Sequence, residues 1–218
     1  MKFERVWTGN WKNALYGLRH PYESYAKSDS YTNTDVICGS NNEYDINQYF
    51  VIGPNDLDLA QRMIAAGSPN DKFLRQIFVS IDITAPLYLY KELDTYKIGT
   101  TANSTSTMHK LASTPIILDC FETDDMDNEV AGDFPHHILC YCEELRQKYL
   151  ETKDIRYWKE LIRWLPESWL QTRTWTANYA VLRQIYHWRK NHKLTEWHQF
   201  CDFILTLPYA EQLIAYNN

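Results

Sequence analysis

Apolar and polar positions change period several times along the chain. From Phe73 to Ile83 they alternate: Phe73, Arg75, Ile77, Val79, Ile81 and Ile83 fall on one side, Leu74, Gln76, Phe78, Ser80 and Asp82 on the other. This period of two, with β-branched enrichment, predicts a strand. A helix follows Pro86, with Leu87, Tyr90 and Leu93 at three-to-four spacing and proline tolerated in the first turn. Upstream, Asn10 to Leu18 reads as a short helix. Asn55 looks like the N-cap of a helix striped by Leu57, Ala60, Met63 and Ile64, with Asp56 and Asp58 in its first turn and Gly67-Ser68-Pro69 as its stop. Beyond His137 the pattern is mostly helical, in runs 142–152, 154–165, 178–192 and 195–205, with a last short helix over 208–215. Strands early and helices late predict an α+β fold: a single domain with a central antiparallel sheet and a long-helix C-terminal half. Residues 1–50 read as an N-terminal arm, and residues 51–218 as the domain proper.

Between Thr95 and Met108 no period is visible. Gly99–Thr107 holds six Ser or Thr residues, one Asn and one Gly. A run this rich in small donors after a strand and a helix can present hydrogen bonds to an anionic or polar ligand; it is equally the composition of a polar surface loop. The segment Arg19–Ser30, RHPYESYAKSDS, carries the same ambiguity between a donor arm for phosphate and a surface arm packed by Tyr22 and Tyr25. On the 178–192 helix, Asn178, Leu182, Ile185, Arg189 and His192 share a face. A planar ligand can lie across such a face with its anionic end at Arg189, whose fork donates two parallel hydrogen bonds. The alternative is an arginine paired with Glu196.

The 218 residues can bury a sizeable core. With 44% hydrophobic and 23% charged residues the chain is globular. A net charge of −6 argues against a nucleic-acid polymer or a membrane surface as partner. Asp119 to Asp133 contributes seven acids and no base, without calcium-loop spacing. Five cysteines at no framework spacing indicate free thiols in a reducing compartment. With no signal-like or membrane-length apolar run, this places the protein in the cytoplasm. His136 and Cys140 stand four residues apart, but no second ligand pair accompanies them, and no metal is expected.

Taken in order, several pieces resemble the flavin-dependent thymidylate synthases: a helix, Gly67-Ser68-Pro69, a strand, the helix after Pro86, the Asn103-x-x-Ser106 set, Leu165-Pro166, Asn178 opening a long helix, Arg189 eleven residues on, and His192 with Glu196. The resemblance runs from about Ile52 to Leu205. It implies FAD as cofactor, NADPH and methylene-tetrahydrofolate as co-substrates, a dUMP-like nucleotide as substrate and a homotetramer with sites shared between subunits. It places Ser106 and Arg189 on the substrate and at the catalytic centre, and Arg173 beside the substrate. Lys97, Asn103, Asn178 and His192 fall on the cofactor, with His109 and Lys110 as further anion contacts. No cysteine nucleophile is needed, because reduced flavin supplies the reducing equivalents. Tyr96-Lys97-Ile98 stands where the family carries Arg-His-Arg, Ser104 where it carries Glu, and Met108 where it carries Arg. The alternative reading is a catalytically silent nucleotide-binding protein, or an oligomeric structural protein, of the same fold.

Overall fold

A computed structural model of the chain describes residues 1–38 and 44–217, and side chains other than those of 36–38, 44–47 and 109. His109, expected to be an anion contact, therefore has its side chain outside the described residues, as does Cys38. The elements in order are β1 (Lys2–Gly9), α1 (Trp11–Leu18), β2 (Tyr31–Cys38), β3 (Tyr44–Val51), α2 (Pro54–Ala65), β4 (Phe78–Pro86), α3 (Leu87–Leu93), β5 (Thr101–Ser104), α4 (Thr107–Lys110), α5 (Asn128–Ala131), α6 (Phe134–Thr152), α7 (Ile155–Trp164), β6 (Leu170–Asn178), α8 (Tyr179–Arg189), α9 (Thr195–Leu205) and α10 (Ala210–Leu213). The fold is α+β, with an antiparallel sheet and a helical C-terminal half. Four strands lie in the order β1-β4-β6-β5, and β2 and β3 form an antiparallel hairpin from Tyr31↔Val51 to Cys38↔Tyr44.

Two compact units are distinguished, with the chain passing from one to the other along β4 and β6. The first comprises Met1–Glu4, Ile81–Lys97 and Thr101–Trp175. Its helices α6 and α7 pack around Leu111, Ile116, Phe121, Cys142, Leu145 and Leu161. Side chains on β4 and β6 fix their register there: Thr84 and Thr172 share a hydrogen bond of 2.7 Å, and Thr174 donates to Asp82 at 2.5 Å. The Thr side chains suit a pleated strand, and such cross-strand pairs are the unit of sheet stabilisation.

The second unit comprises Arg5–Ser80, Ile98–Thr100 and Thr176–Asn218. Its core is aromatic: Trp11 meets the edge of Tyr179 at 4.9 Å and of Tyr209 at 5.8 Å, and Trp197 stacks on Phe200. Edge-on and offset pairs of this kind add to what burial alone contributes.

Three local expectations are corrected. The strand does not begin at Phe73, because Asn70–Gln76 is a 3-10 helix. Phe73 and Leu74 are both buried, which two consecutive residues of a one-sided strand cannot be. Asn55 lies inside α2, and Gly53 takes the cap position. The orphan N–H groups of Asn55 and Asp56 donate instead to the carboxylate of Asp29. The Thr95–Met108 stretch is not all loop, since it contains β5, anchored where Thr105 N donates to Thr172 O at 2.9 Å.

Candidate functional site

In the second unit, α1 and the turn after it face the 70–76 helix across a cleft of about 690 Å³. That volume suits a nucleotide-sized ligand. Asn10, Asn13, Asn70 and Gln76 bring amides, and His20, Tyr22 and Lys72 bring a ring nitrogen, a phenol and a cation. Leu18, Met63 and Phe73 supply the apolar wall. Among the described residues, no carboxylate lines it. Asn10 is held by donating to Gln76 O at 2.8 Å while accepting from Asn13 Nδ2 at 2.7 Å. His20 is oriented through Nδ1 by Tyr25 Oη at 2.9 Å, and Tyr25 in turn stacks on Tyr16. Lys72 makes no ion pair among the described residues. No periodicity marks this cleft, whose residues are brought together from α1, the turn after it, α2 and the 70–76 helix.

Much of the Arg19–Ser30 arm is drawn into structure, while its His20 and Tyr22 line the cleft. Arg19 and Asp56 are both buried, with Arg19 Nε 2.6 Å from Asp56 Oδ1. Asp56 also accepts from Ser28 Oγ at 3.0 Å, Ser30 Oγ at 2.6 Å, Ser30 N at 3.0 Å and Asp29 N at 3.2 Å. Burial pulls the pKa of Asp56 up, but the hydrogen bonds from Ser30, Arg19 and Ser28 together outweigh it, and the net shift is downward.

Within the same unit, two expected site elements do meet. Asn178 caps α8 by accepting from Val181 N at 3.1 Å. Gly99 comes so close that a Cβ there would lie 2.6 Å from Asn178 Nδ2, and its φ of 78° is left-handed. Asn178 is therefore a helix cap with the Gly99 loop laid against it. Arg189, at the end of α8, lies with its guanidinium 4.7 Å from the Trp197 ring centre. His192 Nδ1 accepts from Leu194 N at 3.1 Å and its ring meets the edge of Trp197. The ligand-bearing face expected between these ends is corrected: Leu182 and Ile185 are wholly buried in the core, so no ring can lie across them. Arg189 stands at the helix end, with Trp197 under its guanidinium.

The first unit carries the remaining residues. Lys97 is exposed, between a buried Tyr96 and an Ile98 that is 91% exposed. Asn103 is exposed on β5, and Ser106 is half-buried immediately before α4. Arg173 is not an open cation. It donates to both oxygens of Asp94, at 2.9 and 3.1 Å, and to Gln171 Oε1, and lies 3.8 Å from the Tyr90 ring centre. Its charge serves the β6–α3 packing. His136 Nε2 and Cys140 Sγ are 3.4 Å apart on α6, both exposed, while burial pushes the Cys142 thiol up to about 11. Among the described residues no helix is long and apolar enough to cross a membrane.

Solved structures decide the fold. Flavin-dependent thymidylate synthase ThyX from Helicobacter pylori, crystallised with FAD and dUMP, superposes with a TM-score of 0.67 over 98% of both chains, at 16% identity. The chain has the flavin-dependent thymidylate synthase fold. A second crystal structure of that Helicobacter pylori enzyme, also with FAD and dUMP, gives 0.66 over 98% of this chain and 97% of the other, again at 16% identity. No family model matches the sequence, and no curated protein matches it either. At this identity the flavin-dependent thymidylate synthase likeness is one of fold.

Proposed function

We propose that this chain binds a dUMP-like uridine nucleotide and methylates it, as a divergent flavin-dependent thymidylate synthase. The observation that carries this reading is the nucleotide-sized, carboxylate-free cleft of α1 and the 70–76 helix, inside a fold whose solved examples hold FAD and dUMP. The donor chemistry fits a flavin nucleotide. Amides and a phenol against an apolar wall suit a planar ring with polar edges, and Lys72 with His20 suits phosphate. When bound, FAD would supply the reducing equivalents, with NADPH and methylene-tetrahydrofolate as co-substrates giving hydride and carbon.

In this reading Ser106 and Arg189, neither of which lines the cleft, are candidate substrate contacts each in its own unit, the first as a hydrogen-bond donor and the second as a charge-assisted partner. Lys97, Asn103 and His192 hold the cofactor, and Asn178 positions the Gly99 loop. Arg173 is left to its internal role. The enzyme acts in the cytoplasm as a homotetramer that shares its sites between subunits. A second reading, a silent nucleotide holder of the same fold, draws on Tyr96-Lys97-Ile98, which offers one cation, and on the neutralised Arg173.

Calorimetry with dUMP, with and without FAD, tests the binding. A visible absorbance band on purified protein and conversion of dUMP in the presence of FAD, NADPH and methylene-tetrahydrofolate test the chemistry. Nucleotide binding without flavin uptake or turnover selects the silent reading. No dUMP binding at low salt removes the substrate assignment.

A further inference from the structure

The acidic run 119–133 has no part in the nucleotide reading, and it borders a second hollow. In the first unit, Leu118, Phe121, Met126, Phe134, Ile138 and Leu139 line a notch of about 180 Å³. Its floor is fixed: Phe121 meets the edge of Trp169 at 5.5 Å, and Ile138 and Leu139 are packed against the core around Leu145 and Leu161. Its rim is exposed apolar surface, with Phe134 at 67%, Leu118 at 50% and Met126 at 38%. Large apolar side chains left in water around a preformed notch mark an interaction surface.

The charge around the notch says what fits. Asp119, Glu122, Asp124, Asp125, Asp127, Glu129 and Asp133 surround it in sequence with no intervening base. Asp127 is occupied in capping α5, accepting from Glu129 N and Val130 N, and Glu122 accepts from Asp124 N. No Lys or Arg lines the notch among the described residues, and Glu122 does. Phosphate-rich partners such as nucleic acid or an anionic bilayer are repelled by this rim.

We propose that this notch docks a basic amphipathic helix of a partner protein. One apolar side chain of Leu or Phe size enters between Met126 and Phe134, and Lys or Arg residues on either side meet the 119–133 carboxylates. The notch volume matches one such anchor, in the way a helix docks in an apolar groove. The acid rim supplies orientation and a fast, salt-sensitive encounter. The inference is independent of the nucleotide reading.

The probe is a labelled helical peptide of leucine and lysine, titrated into the whole chain and followed by anisotropy, with a leucine and glutamate peptide of the same pattern as control. Hydrogen exchange locates the contact. The proposal expects one-to-one binding of the lysine peptide only, weakening with salt, with protection confined to about residues 117–139. Phe134→Ala should weaken binding about tenfold, as for an interface anchor. Phe134 is exposed at the start of α6, so its truncation leaves the core intact. Asp124→Asn with Asp125→Asn should slow association and flatten the salt dependence. Binding unchanged by Phe134→Ala, protection elsewhere, or equal binding of the glutamate peptide overturns the proposal. Self-association that Phe134→Ala abolishes also overturns it, by assigning the notch to a second copy of this chain.

Discussion

Arg19–Ser30 and Thr95–Thr107 read alike in sequence: both are short of aliphatic residues and crowded with hydroxyls. The structure treats them oppositely. The first is drawn onto the buried carboxylate of Asp56, and its Ser28, Asp29 and Ser30 donate inward or cap α2. The second is held through its backbone, by Thr105 against Thr172 and by the Gly99 loop against Asn178, and shows the side chains of Thr101, Asn103 and Ser104 to solvent on an edge strand. What separates them is a partner far away in the chain. A polar segment becomes architecture when a buried charge demands its hydrogen bonds, and keeps its side chains at the surface when none does.

The sharpest break in that comparison is Asp56→Ala. It leaves Arg19 buried without its counter-charge and strips the arm of five hydrogen bonds to one carboxylate. Removing one partner of a buried pair costs about 3–5 kcal/mol, and for a chain of this size the melting temperature should drop by about 10 °C. Acid should act on the same hub. The folded pKa of Asp56 is lowered, and that of Glu143 is held down to about 2, first by its hydrogen bonds from Arg146. Groups depressed in the folded state stabilise above their unfolded values, roughly 4, and lose that contribution as pH falls through the folded values. Melting temperature should therefore be flat from neutral pH down to about 5 and fall between about 4 and 2. Glu143→Gln should make that fall shallower; an unchanged profile would remove Glu143 from the linkage.

Gly99→Ala is expected to come next. A left-handed non-glycine residue costs roughly 1–3 kcal/mol, and the new Cβ also drives into the Asn178 cap. Gly67→Ala is the control, because Gly67 is left-handed as well, with φ 68°, but has nothing within 4 Å of its added Cβ. Equal losses in the two variants would mean that the Gly99 approach to α8 contributes nothing of its own.

These positions also show what the chain reveals before folding. The longer late helices are legible where apolar residues repeat at helical period: α7 and α9 fall within a residue or two of the pattern, while α6 starts at Phe134, well before the 142–152 run, and α4 and α5 are too short to show one. The buried side of β4 was legible for the same reason, as Val79, Ile81 and Ile83 alternate. The errors lie where a long-range contact overrides the local pattern. Asp29 caps α2 from 26 residues upstream, and Thr105 pairs with Thr172 across 67 residues. For the site, composition found donors but not which were already engaged. Arg173 and Arg189 look equivalent in sequence, yet Asp94 neutralises the first while Trp197 lies under the second. The cleft was not legible at all, because its walls come from three separate segments.

Arg189→Ala measures the ligand side of the comparison. A charge-assisted pair contributes roughly 1.5–3 kcal/mol, so dUMP affinity should fall by about one to two powers of ten. The lost stacking on Trp197 accounts for only about 0.5–1 kcal/mol of stability. A large drop in melting temperature with unchanged dUMP affinity would assign Arg189 to helix packing alone.

The smallest effect, and the finest cut, is between neighbouring hydroxyls. Thr105 Oγ1 accepts from Thr172 N at 3.3 Å and belongs to the strand anchor. Ser106, one residue on, is half-buried, and its carbonyl accepts from Lys110 N at 3.1 Å to start α4. That backbone bond survives truncation of the side chain. A neutral hydrogen bond contributes about 0.5–1.5 kcal/mol, so Ser106→Ala should weaken dUMP binding by roughly two- to tenfold. Its melting temperature should stay near wild type. Thr105→Ala should do the reverse, lowering melting temperature slightly through the lost anchor while dUMP binding holds. Calorimetry and thermal melts on the two variants decide between them. If Ser106→Ala behaves like Thr105→Ala, the hydroxyl at 106 is part of the anchor, and the Thr95–Thr107 stretch is architecture of the same kind as Arg19–Ser30.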